Sequence, residues 1–411
     1  MVRRIAIVGA GQAGLHLALG LQASGYQVTL VAARTPDEVR AGRVLSTQAM
    51  FGPARRIERD AGLNLWEDAA PLVDTMRFTL VDPAGTPALE FSAVLDDGQQ
   101  SVDQRVKTAG WLELYEQRGG TVLYRTADRA EVARLADTHD LTVIATGRGD
   151  PAALFTPDPS RTRFDRPQRT LACVYLHGVD QGDHPGAVRV YAIAGGGELF
   201  LQPALTLSGP CTILLWEAHP GGPTDRFADR PDPDTMLRRS LDLIRHHVPW
   251  EYDLCARAEP TDPASTLYGA VTPVVRHPVA GTVPGRHVLG MADVTVLNDP
   301  VTGQGANNAA RCAAVYLRAI RDRGDAPFDT VWMHDTHATF WEHACHSVDF
   351  TALMLAAPPA DHVQQVLAAA AAHPRVADRF AYGYADPADL RDWLLDADLT
   401  RDYLTAVAAA P

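Results

Sequence analysis

Apolar residues recur along the chain in runs of two lengths, short unbroken ones and longer ones at helical spacing. The first is Ile5-Ala6-Ile7-Val8, followed by Gly9-Ala10-Gly11-Gln12-Ala13-Gly14, an apolar helix-like stretch to Gly25, and a second short run, Val28-Thr29-Leu30-Val31. That order predicts a strand, a glycine turn, a helix and a parallel strand. Met76 to Val81 predicts a further strand among proline and glycine turns, and Asp103 to Arg118 a helix carrying Val106, Leu112 and Leu114, stopped by Gly119-Gly120. Leu141-Thr142-Val143-Ile144-Ala145-Thr146-Gly147 is apolar in the manner of a parallel strand buried on both faces. Leu171 to Leu176, Val188 to Ile193 and Thr212 to Trp216, with a helical piece from Thr235 to His247, predict a separate sheet. His287 to Gly290 returns to strand, and a helical run follows the glycine-containing segment near residue 303 as far as about Arg323. From Asp329 the pattern is helical, interrupted at Pro358-Pro359 and Pro374. The fold class is α/β.

Composition narrows the function classes. The chain has 411 residues, 46% of them hydrophobic and 21% charged, as in ordinary globular proteins. A formal net charge of −13 argues against nucleic acid or an anionic membrane as partner, because those surfaces reward clustered Lys and Arg. Cys173, Cys211, Cys255, Cys312 and Cys345 are widely spaced and read as buried thiols in a reducing compartment, not as a disulfide frame or zinc site. No apolar run reaches the roughly 20 residues of a bilayer span. The expected location is the cytoplasm.

The N-terminal unit carries the first chemical signal. A glycine turn between strand and helix lets backbone approach a pyrophosphate and sets phosphate charge against a helix N-terminus, so a dinucleotide is the expected ligand. Asp293, just past a strand, can accept hydrogen bonds from ribityl hydroxyls, and the Gly303-Gln304-Gly305 turn can point N–H groups at the edge of a flavin ring. Other candidates read more plainly. His334 with His337, and His343 with His346, have helical i,i+3 spacing but no accompanying acid, and are expected as surface or interface histidines with no metal. Glu217 and His219 are expected as a satisfied pair at a strand end, and Phe340, Trp341 and Phe350 as core.

These segments resemble the FAD-dependent styrene and indole monooxygenases over essentially the whole length. The resemblance rests on Ile7 to Leu17, Arg43-Val44-Leu45-Ser46-Thr47, Val102-Asp103-Gln104-Arg105, Ala145-Thr146-Gly147, Phe164 with Pro167-Gln168-Arg169, Asp299 to Asn307, Phe350-Thr351 and Pro358-Pro359. It implies a Rossmann-type FAD-binding domain of the flavoprotein monooxygenase fold in three pieces (1–45, 98–150 and 264–325), a sheet-containing substrate domain (46–97 and 151–263) and a C-terminal helical segment (326–411). It also implies a two-component system: FAD arrives reduced from a separate NADH-dependent reductase, and a C4a-hydroperoxyflavin passes one oxygen atom to an aryl alkene or a related indole or sulfide. The implied cofactor contacts are Gly9, Gly11, Gln12, Ala13, Gly14, Arg34, Arg43, Arg105, Asp293, Pro300, Gly303, Gln304, Gly305, Ala306 and Asn307. Ser46, Thr47 and Pro300 would border the reaction, and Ser46 with Met50 would face a small aromatic substrate. A homodimer is the family-level expectation.

The sequence departs from the family pattern in places. Val31-Ala32-Ala33-Arg34 lacks the acid that usually holds the adenosine ribose. Ser46 stands where the family usually has asparagine, and Met50 and Phe51 replace more polar residues. No second complete glycine fingerprint follows, which favours external reduction. A self-contained NADPH-dependent hydroxylase, a flavin oxidase, and a non-enzymatic scaffold on the same fold stay open at this point.

Overall fold

The computed structural model describes residues 2–409. Its first sheet has six strands in the order Val279–Val283, Arg286–Gly290, Leu141–Ile144, Arg4–Val8, Gln27–Ala32 and Thr121–Tyr124. All neighbours in it are parallel except the Val279–Val283/Arg286–Gly290 hairpin. Strand alternation explains why Arg4–Val8 is central. Ile5 and Ile7 point to a core with Leu15, Leu17, Trp111 and Tyr316, whereas Ala6 and Val8 point to one with Val132, Leu135 and Ile144. Both faces are therefore covered, by the helices Gln12–Ala23, Gln104–Gln117 and Gln304–Arg323 on one side and Arg129–Thr138 on the other. The order reverses around Arg4–Val8, where a doubly wound sheet opens a crevice at its carboxyl ends.

The second sheet has nine strands and crosses large gaps in sequence. Val73–Val81 and Pro87–Gln100 form a hairpin, and Val73–Val81 joins Ala187–Ile193 in parallel, the only parallel pairing among this sheet's paired strands. Gly197–Thr206, Gly209–Ala218 and Thr170–His177 continue it antiparallel. The strands Gly197–Thr206 and Pro87–Gln100 went unread in the sequence, since polar residues interrupt both. Tyr191, Ile193, Leu199, Leu201, Leu214 and Trp216 pack under Met236, Leu237 and Ile244 of the helix Pro233–His247. Part of the opposite face, Met76, Phe78, Phe91, Val188 and Val190, packs on Phe350, Phe380 and Trp393 of the C-terminal helices.

Those helices run Thr330–Leu355, Asp361–Ala372, Pro374–Ala385 and Ala397–Ala409. Pro358-Pro359 lies in the first gap and Pro374 opens the third helix, where its missing N–H costs nothing. The polar connection after Arg34 contains a short helix, Pro36–Arg40, held by a Thr35/Glu38 capping box. All five cysteines are free thiols, four of them buried. Among the described residues no helix is long and apolar enough to cross a membrane.

Candidate active site

The carboxyl ends of the central strands assemble the first half of the site. Gly9 has φ +118, and a Cβ there would lie 2.8 Å from the backbone of Ala145 and Thr146. A Cβ on Gly14 would lie 2.0 Å from the Gly9 carbonyl oxygen. These two glycines let strand, turn and helix close on one another. Gly11 is different: it is the N-cap of Gln12–Ala23, has no side chain to cap that helix, and a Cβ on it would meet nothing within 4 Å. The N–H groups of the first turn therefore have no side-chain cap.

A second helix start offers the same chemistry. Gly303, at φ +65, is the uncapped N-cap of Gln304–Arg323, and Gly305 likewise has nothing within 4 Å of a built Cβ. Beyond Arg286–Gly290 and Met291, Ala292 adopts φ +49 and turns Asp293 outward, with the Asp293 Cβ 3.1 Å from where a Gly147 side chain would begin. The Asp293 carboxyl is exposed at the surface yet crowded by surrounding protein; that desolvation raises its pKa to about 6, against the pull of Arg148 and Arg276. Arg34 and Arg43 are exposed, and among the described residues neither guanidinium has an acceptor.

Several expected contacts are corrected by their hydrogen bonds. Arg105 is 1% exposed and all five of its N–H donors are committed. Its Nε donates to Asp103 at 2.9 Å, Nη1 to Asp262 and the Gly42 carbonyl at 3.0 and 3.4 Å, and Nη2 to Asp262 and Thr206 at 3.0 and 3.2 Å. It pins the helix Gln104–Gln117 to the second sheet and has no donor left for a cofactor. The Gln12 amide donates to Glu58 and the Ala306 carbonyl, both at 3.2 Å, tying the two helix starts together. Gln304 donates to the carbonyls of Thr302 and Tyr384 at 2.9 Å. Asn307 donates to the carbonyls of Ala49 and Gly303 at 2.8 Å and accepts from the Phe51 N–H at 3.0 Å. Ala13 is buried in the core. These side chains position the site, and only the backbone of these segments is left to meet a cofactor.

The second half of the site is a largely apolar cleft that opens to solvent. It is lined by Val188, Val190, Phe200, Ile213 and Leu215 of the large sheet, by Thr47, Ala49 and Phe51, and by the turn Pro300 to Gly303. An alternation along this mostly irregular segment, regular strand only at Met50–Phe51, decides which residues of 46–51 enter it. Thr47, Ala49 and Phe51 face in, so Met50 faces away, its sulfur against Lys107 and Gln12, and is corrected from substrate contact to core. Ser46 does not line the cavity either: its hydroxyl donates to Gln48 and its carbonyl accepts from the Tyr175 hydroxyl at 2.8 Å.

Among the plainer candidates, Phe340 and Phe350 are fully buried core. His337 corrects the surface expectation, because it is buried and burial lowers its pKa to about 4. Among the described residues no group of three His, Cys, Asp or Glu side chains is arranged to hold a metal ion. Glu217 is no satisfied strand-end residue: it is fully buried, lines the cavity, and neither carboxyl oxygen has a hydrogen-bond partner. Its signal in the sequence was parity, since Ile213, Leu215 and Glu217 share one face of their strand.

Known proteins resemble this arrangement. The family described as "Styrene monooxygenase A putative substrate binding domain" matches residues 147–253. The styrene monooxygenase StyA of Pseudomonas fluorescens is 31% identical over 333 residues, 78% of each chain, and that of a Pseudomonas species is equally similar. Among solved structures, the flavin-dependent brominase Bmp2 superposes with a TM-score of 0.71 at 13% identity, covering 99% of both chains. HpxO of Klebsiella pneumoniae, solved with FAD and uric acid, gives 0.65 at 16% identity over 93% of this chain and 96% of its own. The p-nitrophenol 4-monooxygenase PnpA of Pseudomonas putida gives 0.60 at 12%, over 94% and 98%. The structural likenesses establish a shared flavoprotein fold. With the sequence identity and the matched domain, they make this chain a member of the styrene monooxygenase family and a flavoprotein monooxygenase.

Proposed function

We propose that this chain is the oxygenase component of a two-component system, receiving FAD already reduced by a separate NADH-dependent flavin reductase. It transfers one oxygen atom of O2 to an aryl alkene, giving an epoxide, or to a related indole or sulfide. The observation that carries this reading is the apolar cavity meeting the Pro300 to Gly303 turn, with an uncapped helix start beside it.

The residues fit FAD. Gly9 and Gly14 close the turn, Gly11 leaves room, and the first-turn N–H groups of Gln12–Ala23 receive the pyrophosphate. Arg34 and Arg43 are free to reach the adenosine side. Asp293 accepts from the ribityl hydroxyls, and the backbone of Gly303 to Ala306 borders the isoalloxazine, whose negative charge in the reduced state the helix dipole favours. Bound reduced FAD supplies the activated oxygen, so the protein need not supply a nucleophile. The chain's own part is to hold, orient and dry: Val188, Val190, Phe200, Ile213 and Leu215 exclude water and seat an aromatic ring, and Thr47 and Pro300 bound the space between ring and cofactor. In this reading 1–45, 98–150 and 264–325 serve the cofactor, 46–97 and 151–263 the substrate, and 326–411 braces the large sheet.

The test is a single turnover. Chemically reduced FAD, this protein and styrene are mixed with 18O2 in the absence of any reductase. Styrene oxide carrying one 18O atom is the expected product. Hydrogen peroxide without oxygenated product, or steady NADPH oxidation by the protein with FAD alone, would overturn the proposal.

A further inference from the structure

Glu217 is the feature of the cavity that its apolar lining leaves unexplained. It sits fully buried in the strand Gly209–Ala218, beside Leu215, Phe200, Gly303 and the neutral phenol of Tyr384, and neither carboxyl oxygen finds a donor. Two other acids stand close. Glu198, directly opposite in strand register, is held by the buried Arg169 at 2.7 and 2.8 Å. Asp299 is also fully buried; one oxygen accepts from the Val301 N–H at 3.1 Å and the other has no donor. Three carboxyls thus share one guanidinium, and Glu198 has it.

Two buried carboxyls without a cation of their own cannot both ionise. Burial and the neighbouring Asp299 push Glu217 far above the ordinary carboxylate range; burial raises Asp299 as well, but the Val301 N–H and Arg169 limit that rise to about 6. The pair therefore holds one proton between them, with Glu217 the more readily protonated of the two. The second Glu217 oxygen is left as an acceptor without a donor, although Thr47, Gln99, Gln202 and Thr302 also line the largely apolar cavity. A buried acceptor is costly until a donor reaches it.

We propose that Glu217 is a specificity-determining residue that makes this cavity prefer a flat aromatic substrate bearing one N–H or O–H donor to a hydrocarbon of the same shape. The inference rests on the cavity being the substrate site. A ligand lacking the donor fills the space but strands the acceptor; a ligand bearing it satisfies the cavity's unpaired oxygen. Sites built to hydrogen-bond a substrate group discriminate more sharply against its absence than apolar pockets discriminate by size.

Indole and indene, which differ chiefly in N–H against CH2, are the probes. Their dissociation constants for the FAD-loaded protein are measured by calorimetry, and their relative consumption in a mixed single turnover is measured separately. The wild type is expected to favour indole by about tenfold or more. Glu217→Leu should bring the ratio to within about twofold, and Glu217→Gln, which keeps an acceptor oxygen, should retain most of it. Thermal unfolding of each variant reports whether it is folded. Equal binding of the two probes by the wild type, binding of neither, an unchanged ratio in a folded Glu217→Leu, or tighter binding of benzylamine than of indole would each overturn the proposal. If the binding ratio behaves as expected and neither probe is oxygenated, the oxygenase reading fails and the role of Glu217 as a recognition residue stands.

Discussion

The two glycines on either side of Gln12 answer to different forces, and alanine separates them. At Gly14 a methyl group would sit 2.0 Å from the Gly9 carbonyl oxygen and 3.1 Å from the Ala145 Cβ, and both neighbours belong to the packed turn. The backbone must move by more than 1 Å to admit it, at roughly 3 kcal/mol for overpacking of this kind. At Gly11 the same methyl meets nothing, and φ −83 with ψ −176 suits alanine. The fold loses at most about 1 kcal/mol there, the difference between glycine and alanine at an N-cap. That methyl does lie where a pyrophosphate would approach the first-turn N–H groups. Loss of one or two charge-assisted hydrogen bonds, at about 1.5–3 kcal/mol each, weakens binding at least tenfold. Urea denaturation gives the stabilities, and fluorescence titration with FAD the affinities. Gly14→Ala is expected to lose stability and FAD binding together, and Gly11→Ala to lose binding with its fold intact. A Gly11→Ala protein that binds FAD as tightly as the wild type would refute the placement of the pyrophosphate.

Arg105→Met strands the buried Asp103 and part-buried Asp262 carboxylates, and should cost about 3–5 kcal/mol in denaturant titration; an unchanged midpoint would mean that the cluster is not a structural tie. Lys107 and Glu58, each 4% exposed and paired at 2.7 Å, should show the same asymmetry. Lys107→Met alone loses about 3–5 kcal/mol, whereas Lys107→Met with Glu58→Leu returns to within about 1 kcal/mol of the wild type, and equal losses in single and double variants would contradict this. For Asp293, a pKa raised to about 6 means that the folded protein gives up this proton less readily than the unfolded chain, so ionisation erodes stability as pH rises from about 4 to about 6. Without cofactor, Asp293→Asn should therefore gain stability relative to the wild type across that window and hold a constant gain above it. A gain that appears only below pH 4 would reverse the sign.

The parts of the site that sterics dictate were legible in the sequence. Gly9 and Gly14 can be read because only a glycine tolerates such approach, and the strand Arg4–Val8 because a buried parallel strand is apolar on both faces. Parity within an irregular segment is not legible: nothing in Ser46 to Phe51 announces that the odd-numbered residues face the cavity, so the sequence points to Ser46 and Met50 as well as Phe51 and passes over Ala49. Long-range pairing hides charge in the same way. Arg105 looks like a cofactor contact until Asp262, 157 residues away, is found beside it. Glu217 looks like an ordinary strand-end acid until the sheet register sets it opposite Glu198 and the turn before Gly303 brings up Asp299.

The central claim is that the flavin ring lies where the Pro300 to Gly303 turn meets the apolar cavity. A crystal structure of the protein with FAD tests it directly. Density for the isoalloxazine against the backbone of Gly303 to Ala306, with its edge toward Thr47 and Pro300 and the ribityl chain at Asp293, is the predicted result. A ring bound elsewhere, or a mouth closed by Phe51 and Tyr384 with FAD present, would contradict the account.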